Sequence, residues 1–214
     1  MFVGPRMKRN LVTITPGATL EEAARLLKTH RIHHLPVVGE GGRLEGILSD
    51  TDLRNATLEG TIGGGPDGGD SGRPATAGEI MTRDVVTLSP GDSLDDAMLV
   101  LTHERIGALP VVEGGRLVGI VTKADILTAL LSTLDVEGLG VRIEVVLPRD
   151  VKEVARLVGV LGDLQAEVRS LVLSPHGAAG YAAYVRVATI DVGSLKGRLR
   201  GAGFKVPEVA EFLE

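Results

Sequence analysis

Two stretches of the chain repeat each other, and this duplication limits the fold more than any other feature of the sequence. Residues 7–38 align without a gap with residues 81–112, from MKRNLVTITPG and MTRDVVTLSPG at their starts to HHLPVV and GALPVV at their ends. After a shift of one residue at Glu40, GGRLEGILSDTDL matches GGRLVGIVTKADI, and about half of all aligned residues are identical. Such repetition indicates two copies of one structural unit.

Each copy predicts the element order β-α-β-β-α. A short β run leads into Thr-Pro-Gly or Ser-Pro-Gly, and the following helix places apolar residues on one face, because they recur at helical spacing. In the first copy these residues are Leu20, Ala23, Ala24 and Leu27. Two more strands follow, joined by a Gly-Gly turn, and lead into another helix. We expect strands at residues 11–14, 35–38 and 44–48 in the first copy and a first strand at 85–88 in the second.

Residues 60–72, GTIGGGPDGGDSG, lie between the copies, and seven of these thirteen residues are glycine. This composition predicts a flexible linker. A phosphate-binding loop would require the spacing G-x-x-x-x-G-K-[ST] after a strand, which this stretch lacks. We expect a first unit at residues 1–58, the linker at 59–74, a second unit at 75–135 and a third region at 141–214.

The third region has the order βαββα. VRIEVVL from Val141 predicts a strand, and VKEVARLVGVLGD from Val151 predicts a helix. AEVRSLVLS and YAAYVRVAT predict two strands, VGSLKGRLRGAG predicts a helix that ends at glycine, and Phe204–Val206 would form a short last strand. The amphipathic stretch ADILTALLSTL, from Ala124, connects the second copy to this region.

Composition narrows the function. The chain of 214 residues has a formal net charge of −5, a pI of about 5.6 and 2% aromatic residues. A basic surface and stacking platforms for bases are therefore not expected, which makes nucleic acid a poor candidate partner. The chain has no cysteine, so thiolate and disulfide chemistry are excluded. We expect a cytoplasmic protein without a membrane segment, because no apolar stretch reaches the ~20 residues that a spanning helix needs and no signal peptide is recognised.

Both copies end their last strand with a hydroxyl residue followed three positions later by aspartate: Ser49 and Asp52, then Thr122 and Asp125. One interpretation is a capping box, in which hydroxyl and carboxylate each accept a backbone N–H at the helix start. The other is a ligand site, in which the helix N-terminus and the hydroxyl bind phosphate while the carboxylate accepts two hydrogen bonds from a ribose diol. The residues alone leave both interpretations open.

The repeat resembles the CBS domain, the regulatory module named after cystathionine beta-synthase. The resemblance rests on I-M-T before the first strand, I-x-x-L-P-V-V in the middle and G-I-x-[ST]-x-x-D at the end. The third region resembles an ACT domain in its element order, and the order CBS-CBS-ACT is similar to the acetoin-utilisation (AcuB) family. The fold that this implies is a tandem CBS pair, of α+β or α/β class, followed by a ferredoxin-like ACT domain.

The resemblance implies a non-catalytic sensor that binds AMP, ADP, ATP or S-adenosylmethionine in the cleft of the pair, as a regulatory ligand and not as a cofactor. By this analogy Asp52 and Asp125 would hold ribose, and Ser49 and Thr122 would reach phosphate. Residues before the first strands and in the second strands would line the adenine pockets. These are Arg9, Asn10, Leu11, Arg83, Asp84, Val85, His34, Leu35, Pro36, Ala108, Leu109 and Pro110. Members of the family often form dimers, so we expect a homodimer that acts on an unidentified regulated protein.

The two half-sites differ in charge. Asp50 in the first copy corresponds to Lys123 in the second, and His33-His34 corresponds to Gly107-Ala108. A phosphate would meet Lys123 at the second helix start, but at the first it would meet Asp50, unless His33, His34 or Arg31 compensates. We therefore expect ATP to prefer the Thr122 half-site, and the first half-site to prefer a nucleoside or a cationic ligand such as S-adenosylmethionine. The simpler alternative is that Asp50 complements the helix dipole and that Lys123 is an ordinary solvated lysine.

Other polar residues have both a structural and a functional interpretation. Arg31 and Arg105 recur in register and would bind phosphate or form surface salt bridges. Asp150 would cap the helix that begins at Val151 or contact an amino-acid effector, as ACT domains do. We expect no metal site at His30, His33 and His34, because adjacent side chains in a strand point to opposite faces.

Three classes of function are compared. A ligand-binding regulator is favoured, and a structural dimerisation module with degenerate ligand sites is the alternative. An enzyme is not expected, because the sequence contains no cysteine, no nucleophile elbow and no P-loop, and we assign no catalytic residue. The acetoin link rests on the resemblance alone.

Overall fold

The computed structural model describes residues 1–58, 75–136, 138–177 and 180–208. The linker predicted at residues 59–74 lies outside the described residues. The chain divides into two compact units, Met1–Leu127 and Thr128–Glu214. Among the helices that the structure describes, none combines the length and the apolar character that crossing a bilayer requires.

The first copy contains α1 (Leu20–His30), β1 (His34–Val38), β2 (Leu44–Ser49) and α2 (Asp50–Leu58). α1 begins after Thr19, whose side chain accepts a hydrogen bond from the N–H of Glu22, and ends at Arg31, whose backbone is left-handed. β1 and β2 pair antiparallel, and the connection between them includes Gly41 and Gly42, both with positive φ. Two consecutive left-handed residues explain the Gly-Gly turn of the sequence.

The second copy contains α3 (Ala77–Ile80), α4 (Leu94–His103), β3 (Ala108–Glu113), β4 (Arg116–Thr122) and α5 (Lys123–Thr133). β3 and β4 pair antiparallel, with an irregularity between Val111 and Val112 that matches the one between Val37 and Val38. The second and third strands and the helices predicted for each copy are therefore confirmed.

The first strand predicted for each copy is wrong as a continuous strand. In residues 11–14 and 85–88 only Ile14 and Leu88 pair, each by a single parallel bridge, with Val37 and Val111. The Thr-Pro-Gly or Ser-Pro-Gly turn follows at once, and proline lacks the N–H that would extend the ladder. The prediction that Ala24 lies on the buried face of α1 is also wrong. Its side chain is exposed, and Leu26 packs against the core instead.

Each copy contributes its N-terminal segment to the sheet of the other copy. Lys8 pairs with Ile120 in β4 through two backbone hydrogen bonds of 3.0 and 3.1 Å. Thr82 pairs with Ile47 in β2 through two backbone hydrogen bonds of 3.0 Å. The two bridges occupy equivalent places in the repeat, so the two copies are joined by a reciprocal exchange.

The unit Thr128–Glu214 contains β5 (Val141–Pro148), α6 (Val151–Asp163), β6 (Glu167–His176), β7 (Gly180–Ala188) and α7 (Val192–Gly201). β7 lies between β5 and β6 in an antiparallel sheet, and the order βαββα is confirmed. Its core joins the sheet to both helices, through residues such as Val145, Leu157 and Leu199. In place of the expected last strand, Lys205 alone pairs with Val146.

Candidate ligand-binding site

Two clefts in the unit Met1–Leu127 contain the residues that follow the last strand of each copy. We call them the Asp52 cleft, lined by Ser49 and Asp52, and the Thr122 cleft, lined by Thr122 and Lys123. Their volumes are about 570 Å³ and about 460 Å³. Both volumes fall in the range of small-molecule sites, roughly 300–1,000 Å³.

Each cleft combines residues of both copies. The Asp52 cleft adds Asp84, Val85 and Ala108 of the second copy to the helix start of the first. The Thr122 cleft adds Asn10, Leu11, His34 and Pro36 of the first copy to the helix start of the second. This crosswise assembly follows from the exchange of N-terminal segments, which carries each segment to the last strand of the other copy.

Five of the residues expected to line adenine pockets lie elsewhere. The side chains of Leu35 and Leu109 are fully buried in the core, and Pro110 is buried within β3. Arg9 and Arg83 donate hydrogen bonds to the backbone carbonyls of Gly4 and Gly78, at 3.2 and 2.7 Å. These five side chains line neither cleft, and Asp125, which was expected to hold ribose, is not among the lining residues of the Thr122 cleft either.

Ser49 and Asp52 form a capping box. The backbone N–H and the hydroxyl of Ser49 donate to Asp52 Oδ2 at 2.7 and 2.6 Å, and the N–H of Asp52 donates to Ser49 Oγ at 3.2 Å. Thr122 and Asp125 repeat these contacts at 2.9, 2.6 and 3.3 Å. The capping interpretation is therefore confirmed for both copies. It uses one oxygen of each carboxylate and leaves the other for a second role.

The second oxygens of the two aspartates differ in their contacts. Asp125 Oδ1 pairs with Lys8 Nζ at 2.8 Å, whereas Asp52 Oδ1 has no partner among the described residues. Burial raises the pKa of Asp125, but the hydrogen bonds from Lys8 and Thr122 outweigh it, so the pKa lies below its ordinary value. The sequence did not single out Lys8, because the pair forms only through the exchanged segment.

Asp50 lines the Asp52 cleft and accepts a hydrogen bond from His33. His33 Nδ1 lies 3.1 Å from Asp50 Oδ2, and Arg54 Nη2 lies 3.9 Å from Asp50 Oδ1. The hydrogen bond from His33 holds the pKa of Asp50 below its ordinary value, against the opposing effect of burial. Asp50 is therefore ionised at neutral pH, and His33 offsets its charge only when the imidazole is protonated.

His34 lines both clefts. Its ring lies against Gly107, where an added Cβ would be 2.6 Å from His34 Cε1. Gly107 thus leaves room for the His34 ring. This explains why the second copy has glycine at the position where the first copy has His33. Burial lowers the pKa of His34 below its ordinary 6.5, and nearby Asp50 raises it by less. A largely uncharged imidazole therefore separates the two clefts at neutral pH.

Arg31 and Arg105 share an unusual backbone conformation, with φ of 52° and 55°. Arg31 lines the Thr122 cleft, and Arg105 lines the Asp52 cleft. Within the part of the chain that the structure describes, neither guanidinium forms a salt bridge. A role in phosphate binding stays a prediction for both.

The remaining candidates are the three histidines considered for a metal site and Asp150. In residues 1–58, 75–136, 138–177 and 180–208, no three His, Asp or Glu side chains converge as a metal site would require. Asp150 Oδ1 accepts a hydrogen bond from the N–H of Lys152 at 2.8 Å, at the start of α6. The capping role of Asp150 is confirmed, whereas its contact with an effector stays a prediction.

Known proteins share the architecture of the first unit. The model of the CBS domain family matches residues 3–59 and 77–132. CBS domain-containing protein YhcV of Bacillus subtilis is 35% identical over 121 residues, which are 56% of this chain and 79% of that protein. Homoserine O-acetyltransferase of Methanohalophilus mahii is 33% identical over 132 residues, but the match spans only 24% of that enzyme.

Solved structures give the same result. The CBS domain pair of protein MJ0100, in complex with 5′-methylthioadenosine and S-adenosyl-L-methionine, is 30% identical with a TM-score of 0.52, over 61% of this chain and 99% of that one. The acetoin utilization protein AcuB of Vibrio cholerae is 28% identical with a TM-score of 0.55, over 64% and 95%. The chain therefore belongs to the CBS domain family and carries a pair of these domains before its C-terminal sheet.

Proposed function

We propose that the CBS pair is a non-catalytic sensor that binds an adenosine-containing ligand, such as AMP, ADP, ATP or S-adenosylmethionine, in the Asp52 and Thr122 clefts. The observation that carries this proposal is the Asp52 carboxylate, which the capping box holds by Oδ2 while Oδ1 has no partner in the described residues. A ribose diol offers two donors to such a carboxylate, each worth about 1.5–3 kcal/mol with a charged acceptor.

Both clefts also offer apolar walls for the adenine base and a helix start for phosphate. Val85 and Ala108 provide apolar walls in the Asp52 cleft, as Leu11 and Pro36 do in the Thr122 cleft. Ser49 and Thr122 lie at helix starts, where backbone N–H groups favour phosphate. The MJ0100 pair, which was solved with two adenosine compounds, supports the ligand class.

Isothermal titration of the full chain with these four ligands tests the proposal, and Asp52→Asn is the informative variant. Losing the charged acceptor is expected to weaken binding in that cleft by about 10- to 100-fold. Asp96→Asn is the matched control, because Asp96 and Ser93 at the start of α4 form two of the three contacts that Asp52 forms with Ser49, at 2.7 and 3.0 Å, and Asp96 lines neither cleft.

Both variants are expected to lower the melting temperature by a similar amount, since both lose a helix cap. If Asp52→Asn keeps full affinity and shows only this loss, capping is the whole role of Asp52. If the unmodified chain binds no adenosine compound, the alternative of a structural module with degenerate sites replaces the sensor.

We further propose that the third region is an ACT domain with a ferredoxin-like fold, within the domain limits 1–58, 75–135 and 141–214. The order βαββα, the central position of β7 and the pairing of Lys205 with Val146 support this assignment.

Similarity to AcuB of Vibrio cholerae supports a regulated partner in acetoin utilisation. Heat released on adding common amino acids in the same titration would support an effector role, and Asp150→Asn would show whether Asp150 contributes.

A further inference from the structure

The lining of the Thr122 cleft is cationic. Lys8, Arg31 and Lys123 line it, together with His33, and its lining within the described residues includes no carboxylate. Lys8 and Arg31 come from the first copy and Lys123 from the second. Both copies therefore contribute to the positive charge of this cleft.

The lining of the Asp52 cleft is anionic. Asp50, Asp52, Asp84 and Glu104 line it, and Arg105 is the single lysine or arginine among its described lining residues. Asp50 is held ionised by its hydrogen bond from His33. A phosphate in this cleft would approach several carboxylates, and like charges at a partly exposed site repel each other.

The pair of Lys8 and Asp125 adds a second difference between the clefts. Asp125 does not itself line the Thr122 cleft, and a ribose diol that approaches it competes with Lys8 Nζ, which lines the cleft and lies 2.8 Å from Oδ1. A ligand with both a diol and a phosphate supplies a new partner to each member of the pair, because the diol donates to the carboxylate and the phosphate accepts from the ammonium. A ligand without phosphate leaves the Lys8 ammonium to water, because that side chain is 60% exposed, and supplies no charged partner in return. Asp52 forms no such pair with any of the described residues.

We propose that the two clefts select different classes of adenosine compound. The Thr122 cleft takes compounds that carry phosphate, and Lys8 and Lys123 determine this preference. The Asp52 cleft takes compounds that are uncharged or cationic at the same position. This inference rests on the proposed function and assigns a ligand class to each cleft.

Titration of the full chain with ATP and with S-adenosylmethionine tests the assignment in two variants. Asp125→Asn removes the charged acceptor for the ribose diol, so it is expected to weaken ATP binding by about tenfold or more and to leave the binding of S-adenosylmethionine within twofold of the unmodified chain. Asp52→Asn is expected to do the reverse. ATP affinity is also expected to fall as salt rises from about 50 to 300 mM, since salt screens exposed charges.

The lysine variants test the cause. Lys8→Gln and Lys123→Gln are each expected to weaken ATP binding by about tenfold or more, because a charge-assisted contact to phosphate is lost. Lys152→Gln, which removes an exposed lysine from the other unit, is the matched control and is expected to leave both affinities unchanged.

The outcomes separate this inference from the proposed function. If the unmodified chain binds neither ligand, the sensor itself is wrong. If ATP binding is lost in Asp52→Asn and kept in Asp125→Asn, the sensor stands and the assignment of ligand classes is overturned. If both lysine variants bind ATP as Lys152→Gln does, the lysines do not contact phosphate and the inference is also overturned.

Discussion

His34 shows how one side chain makes the stability of the first unit depend on pH. Burial between the clefts favours the neutral imidazole, so the pKa of His34 in the folded chain lies below 6.5. Between that lowered value and 6.5 the unfolded chain binds more protons than the folded one. The free energy of unfolding must therefore fall as the pH decreases through this window.

We expect the free energy of unfolding, measured by urea denaturation, to decrease from pH 7.5 to pH 5.5 in the unmodified chain. His34→Gln should flatten this decrease, because its side chain does not titrate. His103→Gln, at the end of α4, serves as the control and should keep the original slope. A slope in His34→Gln equal to that of the unmodified chain would show that other groups cause the dependence.

At the scale of elements, the exchanged segments lie close to the last strand of each copy. Gly46 in β2 and Gly119 in β4 lie against Met81 and Met7, the residues that precede the two bridges. A Cβ at Gly46 would lie 2.6 Å from Met81 Sδ and 2.8 Å from the carbonyl oxygen of Thr82. Because the second atom belongs to the backbone, the strand has to shift to admit a side chain.

Gly46→Ala is therefore expected to destabilise the first unit by about 1–3 kcal/mol, the usual cost of overpacking a core. Chemical denaturation measures this change. Gly17→Ala is the control, since no atom of the residues that the structure describes lies within 4 Å of a Cβ at Gly17 and its φ is not positive. Equal stability of the two variants would mean that the exchanged segment does not pack against β2 in solution.

The sequence predicted the elements that depend on local patterns. The helix faces, the paired strands and both capping boxes follow from spacing, turn residues and hydroxyl–aspartate motifs within a few positions. The pattern could not reveal the partner of each segment, because alternation of apolar residues indicates a buried face and not the element that covers it. The pairing of Lys8 and Thr82 with the other copy was therefore not predicted. The strands predicted at residues 11–14 and 85–88 were too long, since each segment forms a single bridge.

At the scale of the whole molecule, we expect a homodimer through the CBS pair. Leu99 on α4 and Leu127 on α5 are 52% and 57% exposed, and a symmetric partner would bury such apolar side chains. Light scattering at micromolar concentration should give a mass of about twice 22.4 kDa. Leu99→Lys or Leu127→Lys should shift the mass toward the monomer, whereas Val151→Lys in the other unit should not. A monomeric mass for the unmodified chain would contradict this expectation.

The exchange of N-terminal segments also limits how such a gene can change. A fragment that encodes one copy encodes half of two clefts and the whole of neither, so it regains a binding site only by associating with a second fragment. The pair is therefore the smallest unit that could carry the proposed binding function. Lys8 and Asp125 are far apart in the gene, but substitutions at the two positions should covary among related sequences, because each residue is the ionic partner of the other.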